Sequence, residues 1–367
     1  MSPLFEKVSI IGVGLIGGSI GMALDMRGLA GEIVGTGSRA ENLRLAAELG
    51  AVHTYTGSLS EGVAGADLVV IATPVSVTMQ VLKQVLSHLA PGTVVTDVGS
   101  TKAGIVFEAS KVMPPGRIFV GGHPMAGSEQ IGVRGADPYL FENAFYVVTP
   151  LPDTAAKGLE TVEKLAEGIG ARVVLMDPVL HDLAVAAVSH LPHLLAAALV
   201  NTVARMPDSE QILPLAAGGF RDVTRIAAGN PSMWRDIFAA NREQVLQVLA
   251  HFRTGLDRLE KLISSGNDDG VYNELEEARK IRSGLPGKTK GCLPGLYEAV
   301  VTVPDRPGAI AGFASHLAVA GINISDIEIL RVREGEGGTV RVGFATARER
   351  EEAVRVLKSQ GYTVRKR

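Results

Sequence analysis

Five stretches of the 367-residue chain hold residues whose types and spacing could do chemistry. The first is Gly12-Val13-Gly14-Leu15-Ile16-Gly17, a GxGxxG string between a strand expected at 8–11 and a helix expected at 18–26. In that setting Gly12 allows the tight turn, Gly14 lets the backbone approach a pyrophosphate, and Gly17 lets helix and strand pack closely. The helix N-terminus, reached through Leu15 and Ile16, then turns unpaired N–H groups toward the phosphates. Thr73 and Pro74, just past the apolar run 67–72, join this cofactor set. A carboxylate about 20 residues further on would hold the ribose of NAD. That place reads Gly35-Thr36-Gly37-Ser38-Arg39, with no carboxylate. Ser38 and Arg39 could accept a 2′-phosphate, so the expected cofactor is NAD or NADP.

Two further stretches, Asp97-Val98-Gly99-Ser100-Thr101-Lys102 and Gly121-Gly122-His123-Pro124-Met125-Ala126-Gly127-Ser128-Glu129, each follow a strand candidate. Ligands of open α/β sheets bind outside the carboxyl ends of the strands, so Ser100 and His123 should meet near the nicotinamide. His123 is expected in a glycine-proline loop. Ser189-His190-Leu191-Pro192-His193 lies inside an apolar helix. Its HxxH pair lacks a third ligand at suitable spacing, so no metal is expected; satisfied core histidines are the other reading. Gly218-Gly219-Phe220-Arg221-Asp222-Val223-Thr224-Arg225-Ile226 sets two arginines beside glycines, which suggests an anion site or a helix-capping pair with Asp222.

The elements that must position these residues fall into three regions. At about 150 residues per domain, the length predicts two or three domains. Residues 1–176 alternate apolar strands (32–35, 67–72, 93–98, 117–121, 144–149) with helices, the pattern of a parallel Rossmann-type sheet covered on both faces. Residues 177–284 read as an all-helical dimerisation and substrate domain, with apolar residues three and four apart. A Gly-, Pro- and Lys-rich linker at 285–294 leads to 295–367, where the order β-α-β-β-α-β is that of a ferredoxin-like unit.

Composition excludes other classes. With 46% hydrophobic and 20% charged residues, the chain can bury a sizeable core. A net charge of −3 provides no field for nucleic acid. The single cysteine, Cys292, rules out a disulfide framework and a cysteine-based zinc site. The apolar run 183–204 is long enough to span a bilayer, but it contains His190, Pro192, His193 and Asn201 and lacks basic flanks. A helix buried between subunits of a homodimer explains it better than a membrane, and a cytoplasmic protein is expected.

Taken in order, GVGLIGGS, DVGSTK, GGHPMAGSE, SHLPH and GGFRDVTRIA, with Trp234 nearby, resemble the prephenate dehydrogenase family over about residues 5–285. The tail, with Pro304-Asp305-Arg306-Pro307-Gly308 and Gly321-Ile322-Asn323-Ile324, resembles an ACT domain, a small amino-acid-sensing module. The first resemblance implies oxidative decarboxylation of prephenate to 4-hydroxyphenylpyruvate in tyrosine biosynthesis. It also implies roles. His123 would bond the substrate's ring hydroxyl, with Ser100 as its orienting partner. His193 would be the second active-site histidine, with His190 shaping the site. Arg225 would bind a substrate carboxylate. Ser128 and Glu129 would lie around the site entrance, and Asp222 and Trp234 would brace the pocket, with Gly218 beside them.

The second resemblance implies an amino-acid site at Pro307, Gly308, Ala309, Asn323 and Ile324, with L-tyrosine as feedback effector or, alternatively, a tail that only dimerises. Three rivals remain. Arogenate dehydrogenase has the same ring chemistry. A β-hydroxyacid dehydrogenase would need a lysine in the helical region, where none occurs between Lys164 and Lys261. A non-catalytic NAD(P) or amino-acid sensor would not need Ser100, His123, His193 and Arg225 together.

Overall fold

The run Leu68–Ile71 is a strand with every side chain buried, which requires covering layers on both faces. Its residues alternate between them: Leu68 and Val70 pack with Val8, Ile10, Ile20 and Ile33, while Val69 and Ile71 pack with Leu82, Val85 and Val95. In the computed structural model, which describes residues 2–127, 130, 132–284, 297–304, 306–333 and 337–366, this strand belongs to an eight-stranded sheet. The strands are β1 (Phe5–Ile11), β2 (Ala30–Thr36), β3 (Thr54–Thr56), β4 (Leu68–Ile71), β5 (Val94–Asp97), β6 (Ile118–Pro124), β7 (Phe145–Thr149) and β8 (Arg172–Leu175). Their order is β3-β2-β1-β4-β5-β6-β7-β8. The first six follow the 3-2-1-4-5-6 arrangement of doubly wound dinucleotide-binding sheets. Between the strands run α1 (Leu15–Met26), α2 (Ala40–Glu48), α3 (Leu59–Val63), α4 (Val75–Val85), α5 (Ala103–Val112) and α6 (Ala156–Gly168).

Several expectations change. The sheet is not wholly parallel, because β7 pairs antiparallel with β6. Among the described residues, the β6–β7 connection contains a 3-10 turn, Val133–Gly135, and no crossover helix, so the chain re-enters reversed. β6 runs on through His123 and Pro124, and His123 pairs with Val147, so the histidine stands in a strand rather than a loop. α1 begins at Leu15, not at residue 18. β3 and β8 are additional strands; β3 is a three-residue edge strand without apolar alternation.

The helical half follows with α7 (Pro178–Val185), a π-helical turn (Ala186–His190), α8 (Leu191–Ala204), α9 (Ser209–Ile212), α10 (Gly218–Thr224), a 3-10 turn (Arg225–Ala228), α11 (Pro231–Ala240), α12 (Arg242–Ser264) and α13 (Asp268–Gly284). Asp177 starts α7 by accepting from the N–H groups of Val179 and Leu180 at 2.9 and 3.0 Å, with Pro178 in the first turn. Asn230 and Pro231 start α11 the same way. The π turn has a local cause. Pro192 has no N–H to continue the ladder, and the Leu191 N–H reaches back to the Ala186 carbonyl instead. By length and composition, the helical stretch Pro178–Ala204 could cross a membrane; only 33% of its most apolar window is buried.

The chain divides into two units, Met1–Gly291 and Cys292–Arg367. In the second are β9 (Tyr297–Val303), α14 (Ala309–Val319), β10 (Asp326–Arg333), β11 (Gly337–Phe344), α15 (Ala347–Ser359) and β12 (Thr363–Lys366). Its antiparallel sheet, ordered β10-β11-β9-β12, packs on Phe313, Leu317 and Leu357. β10 starts at Asp326, so Asn323 and Ile324 lie in the loop before it.

Candidate active site

The glycine turn after β1 has the geometry a dinucleotide needs. Gly12 sits at φ +95°, and a Cβ there would fall 2.6 Å from the Ala72 carbonyl oxygen and 3.1 Å from the Thr73 nitrogen. The first glycine turn therefore lies directly against the β4 end that carries Thr73 and Pro74. A Cβ on Gly17 would strike the Gly12 carbonyl oxygen at 2.3 Å, so this glycine sets the close approach of helix to strand. Gly14 is different. A Cβ there would meet nothing within 4 Å, which leaves open space over the N-terminus of α1, beside Leu15 and Ile16. Ser38 and Arg39 are exposed past the end of β2, and Arg39 is the N-cap of α2.

The DVGSTK loop after β5 is organised from inside. Lys102, fully buried, donates from Nζ to Asp97 Oδ2 and, at 2.9 Å, to the Gly122 carbonyl. Burial lowers the lysine's pKa, opposed by Asp97. Asp97 also accepts from the Gly99 N–H at 2.9 Å. The pair thus ties the β5 loop to β6, one residue before His123. Gly122 is bare because β7 crowds it: a Cβ would fall 2.8 Å from Tyr146 Oη.

His123 Nδ1 lies 2.8 Å from Nε2 of His181 on α7, and His181 Nδ1 lies 2.8 Å from Asp182 Oδ1. Burial holds the His123 imidazole well below the usual histidine range, with repulsion from His181, Lys102 and His190 in support. His123 therefore stays neutral at neutral pH. Among the described residues, its Nδ1 partner is His181 and not the expected Ser100, which is half-buried on the neighbouring loop.

The helical half brings a second cluster. Asn241 Nδ2 donates to the Asp182 carbonyl at 2.8 Å and lies 3.2 Å from His190 Nδ1. Burial brings His190 down to about 4. His190 meets Trp234 edge-on, and His193 stacks on Trp234 with ring centroids 3.7 Å apart. His193 Nδ1 is buried without a hydrogen-bond partner among the described residues. Gly229 closes the turn that carries Arg225, and a Cβ on it would fall 2.8 Å from Trp234 Nε1 and 3.1 Å from His193 Cε1. The Arg225 turn is thereby seated against the same two rings. Arg225 itself is exposed, as are Asp222 on α10 and Gly218 at its start. Ser128 and Glu129 lie outside the described residues. None of the described His, Cys, Asp and Glu residues form a group of three or more able to hold a metal ion.

The structure thus joins His123, His190, His193 and Trp234 through residues the sequence reading left without a role: His181, Asp182, Asn241, Lys102 and Gly229. One signal was available. Adjacent His181 and Asp182 interrupt an otherwise apolar helix, and polar residues in such a place need partners.

Comparisons with known proteins point the same way. Residues 20–175 match the family described as prephenate dehydrogenase, nucleotide-binding domain, and residues 177–277 match prephenate dehydrogenase, dimerization domain. The chain is 36% identical to a prephenate dehydrogenase of Bacillus subtilis over 98% of both chains. It is 34% identical to one from Lactococcus lactis, over 98% of this chain and 99% of that protein. Among solved structures, it resembles prephenate dehydrogenase from A. aeolicus in complex with hydroxyphenyl propionate and NAD+ (TM-score 0.73, 34% identity, covering 77% of this chain and 98% of that one). It also resembles Synechocystis arogenate dehydrogenase (TM-score 0.68, 33% identity, covering 76% and 99%).

The buried histidines make stability depend on pH. The unfolded chain takes up protons on histidine near 6.5, whereas the folded protein keeps His190 neutral down to about 4. The unfolded state therefore binds more protons between those values, and stability falls as pH drops through the window. The thermal midpoint should decline from pH 6.5 to 4, and the decline should be shallower in His190→Gln. A midpoint that rises on acidification, or an identical slope in the variant, would contradict this.

Proposed function

The chain belongs to the prephenate dehydrogenase family, and we propose from that premise how its residues carry out the oxidative decarboxylation of prephenate to 4-hydroxyphenylpyruvate. The observation that carries the reading is a neutral, buried-side-anchored imidazole, His123, at the carboxyl end of β6 in a sheet whose β1 end holds a dinucleotide turn. Gly12, Gly14 and Gly17, the N-terminus of α1, and Thr73 and Pro74 would hold NAD. When bound, it accepts the hydride from the hydroxyl-bearing ring carbon.

His123 Nε2 takes the hydroxyl proton as the C–H bond breaks, which a base neutral at physiological pH can do. Carbon dioxide leaves from the opposite ring carbon, and aromatisation drives the step. Arg225 holds a substrate carboxylate by a planar, two-point contact, and the His193–Trp234 stack walls the ring. Ser100, on the loop beside β6, would turn to the hydroxyl and nicotinamide, and Asp222 and Gly218 would brace the pocket. Ser38 and Arg39 stand where an adenosine 2′-phosphate would sit, so NADP is accepted as well as NAD. A second reading, arogenate as substrate, draws on the nearly equal likeness to the Synechocystis enzyme.

We further propose a homodimer built on the helical half, where Leu180, Val188, Leu215, Val223 and Ile263 leave an apolar surface exposed. The tail we read as an ACT domain that senses L-tyrosine. In its support stand the β-α-β-β-α-β order and Gly308 at φ +85°, the left-handed N-cap of α14. Pro307 and Ala309 flank that turn, and the loop holding Asn323 and Ile324 precedes β10. Val303, Pro304, Arg306, Ala309, Ile310 and Ile329 line a cavity of about 90 Å³. That volume is too small to enclose tyrosine, so a second copy would complete the site.

His123→Asn should lower kcat by about 10²–10⁴-fold, the worth of a positioned base, with KM for prephenate nearly unchanged. Arg225→Ala should chiefly raise KM. Wild-type turnover in the first variant or an unchanged KM in the second would overturn these roles. Added L-tyrosine should inhibit the full-length enzyme, and Asn323→Ala should blunt the response; an enzyme indifferent to tyrosine would leave the tail without a sensing role.

A further inference from the structure

A histidine can act as a base only through the nitrogen that lacks a proton, so the ring must be held in one tautomer. We propose that His181 and Asp182 are positioning residues that fix His123 as the Nδ1–H tautomer and leave the Nε2 lone pair for the substrate hydroxyl. The inference rests on the reading of His123 as the base.

The argument starts from groups with no choice of role. Asp182 Oδ1 lies 2.7 Å from the Lys102 N–H, and Oδ2 lies 2.9 Å from the Ala103 N–H. Both are backbone donors at the start of α5, where the helix dipole favours a negative charge. An ionised carboxylate only accepts. His181 Nδ1, 2.8 Å from Asp182 Oδ1, must therefore carry its proton. A neutral His181 then presents Nε2 as an acceptor. His123 Nδ1, 2.8 Å away, must donate to it. The remaining nitrogen of His123 is a lone pair, and no other described residue hydrogen-bonds to it.

The intermediate links are almost wholly shielded: His181 is 1% and Asp182 3% exposed. Away from water, each hydrogen bond is strongly directional and a reversed one leaves an unsatisfied group, so the order of donors is enforced along the line. In the chemical step the substrate O–H bond breaks and the proton joins His123 Nε2. The resulting imidazolium keeps its Nδ1–H on His181, with the Asp182 carboxylate next in line to stabilise the charge.

A solely structural role would move stability but not the tautomer. Histidine-selective 15N NMR of the full-length protein reads the tautomer without turnover, with the His123 signal assigned by its loss in His123→Asn. The wild type should show His123 protonated at Nδ1 and bare at Nε2 at neutral pH, and His181→Leu should lose that preference. In kinetics, His181→Leu should lower kcat about 10²-fold with KM for prephenate unchanged, while His181→Gln, whose amide oxygen accepts from Nδ1–H, should recover to within about tenfold of wild type. A wild-type His123 protonated at Nε2 would overturn the proposal. So would wild-type kcat in a folded His181→Leu enzyme, or equal loss in the two variants. If His181→Leu fails to fold, the wild-type tautomer and the glutamine variant still decide. If His181→Leu keeps the Nδ1–H tautomer and wild-type kcat while His123→Asn loses activity, the positioning role fails and His123 remains the base.

Discussion

The Asp182 carboxylate belongs to α7 yet caps α5, so one buried side chain bonds the helical half to the dinucleotide-binding half. Its two oxygens satisfy two backbone donors and one imidazole, and its own carbonyl accepts from Asn241. A buried polar network of this kind is favourable only while every member is paired; loss of the carboxylate would leave three donors stranded. From that anchor the contacts run in both directions, through His181 to His123 and through Asn241 to His190 and Trp234. The His123 imidazole and the ring-lined wall are therefore placed by the same interaction.

The sheet fixes the other coordinates. Lys102 and Asp97 form an ion pair with no exposure to solvent, an arrangement that costs desolvation and is offset by the hydrogen bonds to the Gly99 N–H and the Gly122 carbonyl. The pair locks the β5 loop to β6 beside His123. Across the site, the bare backbone of Gly229 lets the Arg225 turn close on His193 and Trp234. Small residues thus appear where backbones must approach, and charged ones where loops must not move.

Much of this was legible in the sequence because local rules govern it. Gly12, Gly14 and Gly17 each meet the constraint their spacing implies, and the buried strand 67–72 and the tail's element order are read from apolar patterning. Other features depend on contacts distant in sequence. The reversal of β7 follows from a connection with no crossover helix among its described residues, which composition does not reveal. β3 and β8 are short and half-exposed, so no period marks them. His123 looked like a loop residue because glycines and proline surround it, yet those glycines serve the neighbouring Tyr146 and Thr149 rather than a turn. His181 and Asp182 sit in an apolar helix, and their role depends on partners far along the chain. Pro192 carried a signal for the π turn that resets the helix before His193.

What remains is to see the two polar poles of the site on one ligand. A crystal structure of the protein with NAD+ and a hydroxyphenyl carboxylate bound would measure it directly. The account predicts the phenolic oxygen at hydrogen-bond distance, about 2.6–3.2 Å, from His123 Nε2, and the carboxylate on the Arg225 guanidinium. A ligand whose hydroxyl points away from His123, or whose carboxylate is held without Arg225, would contradict it.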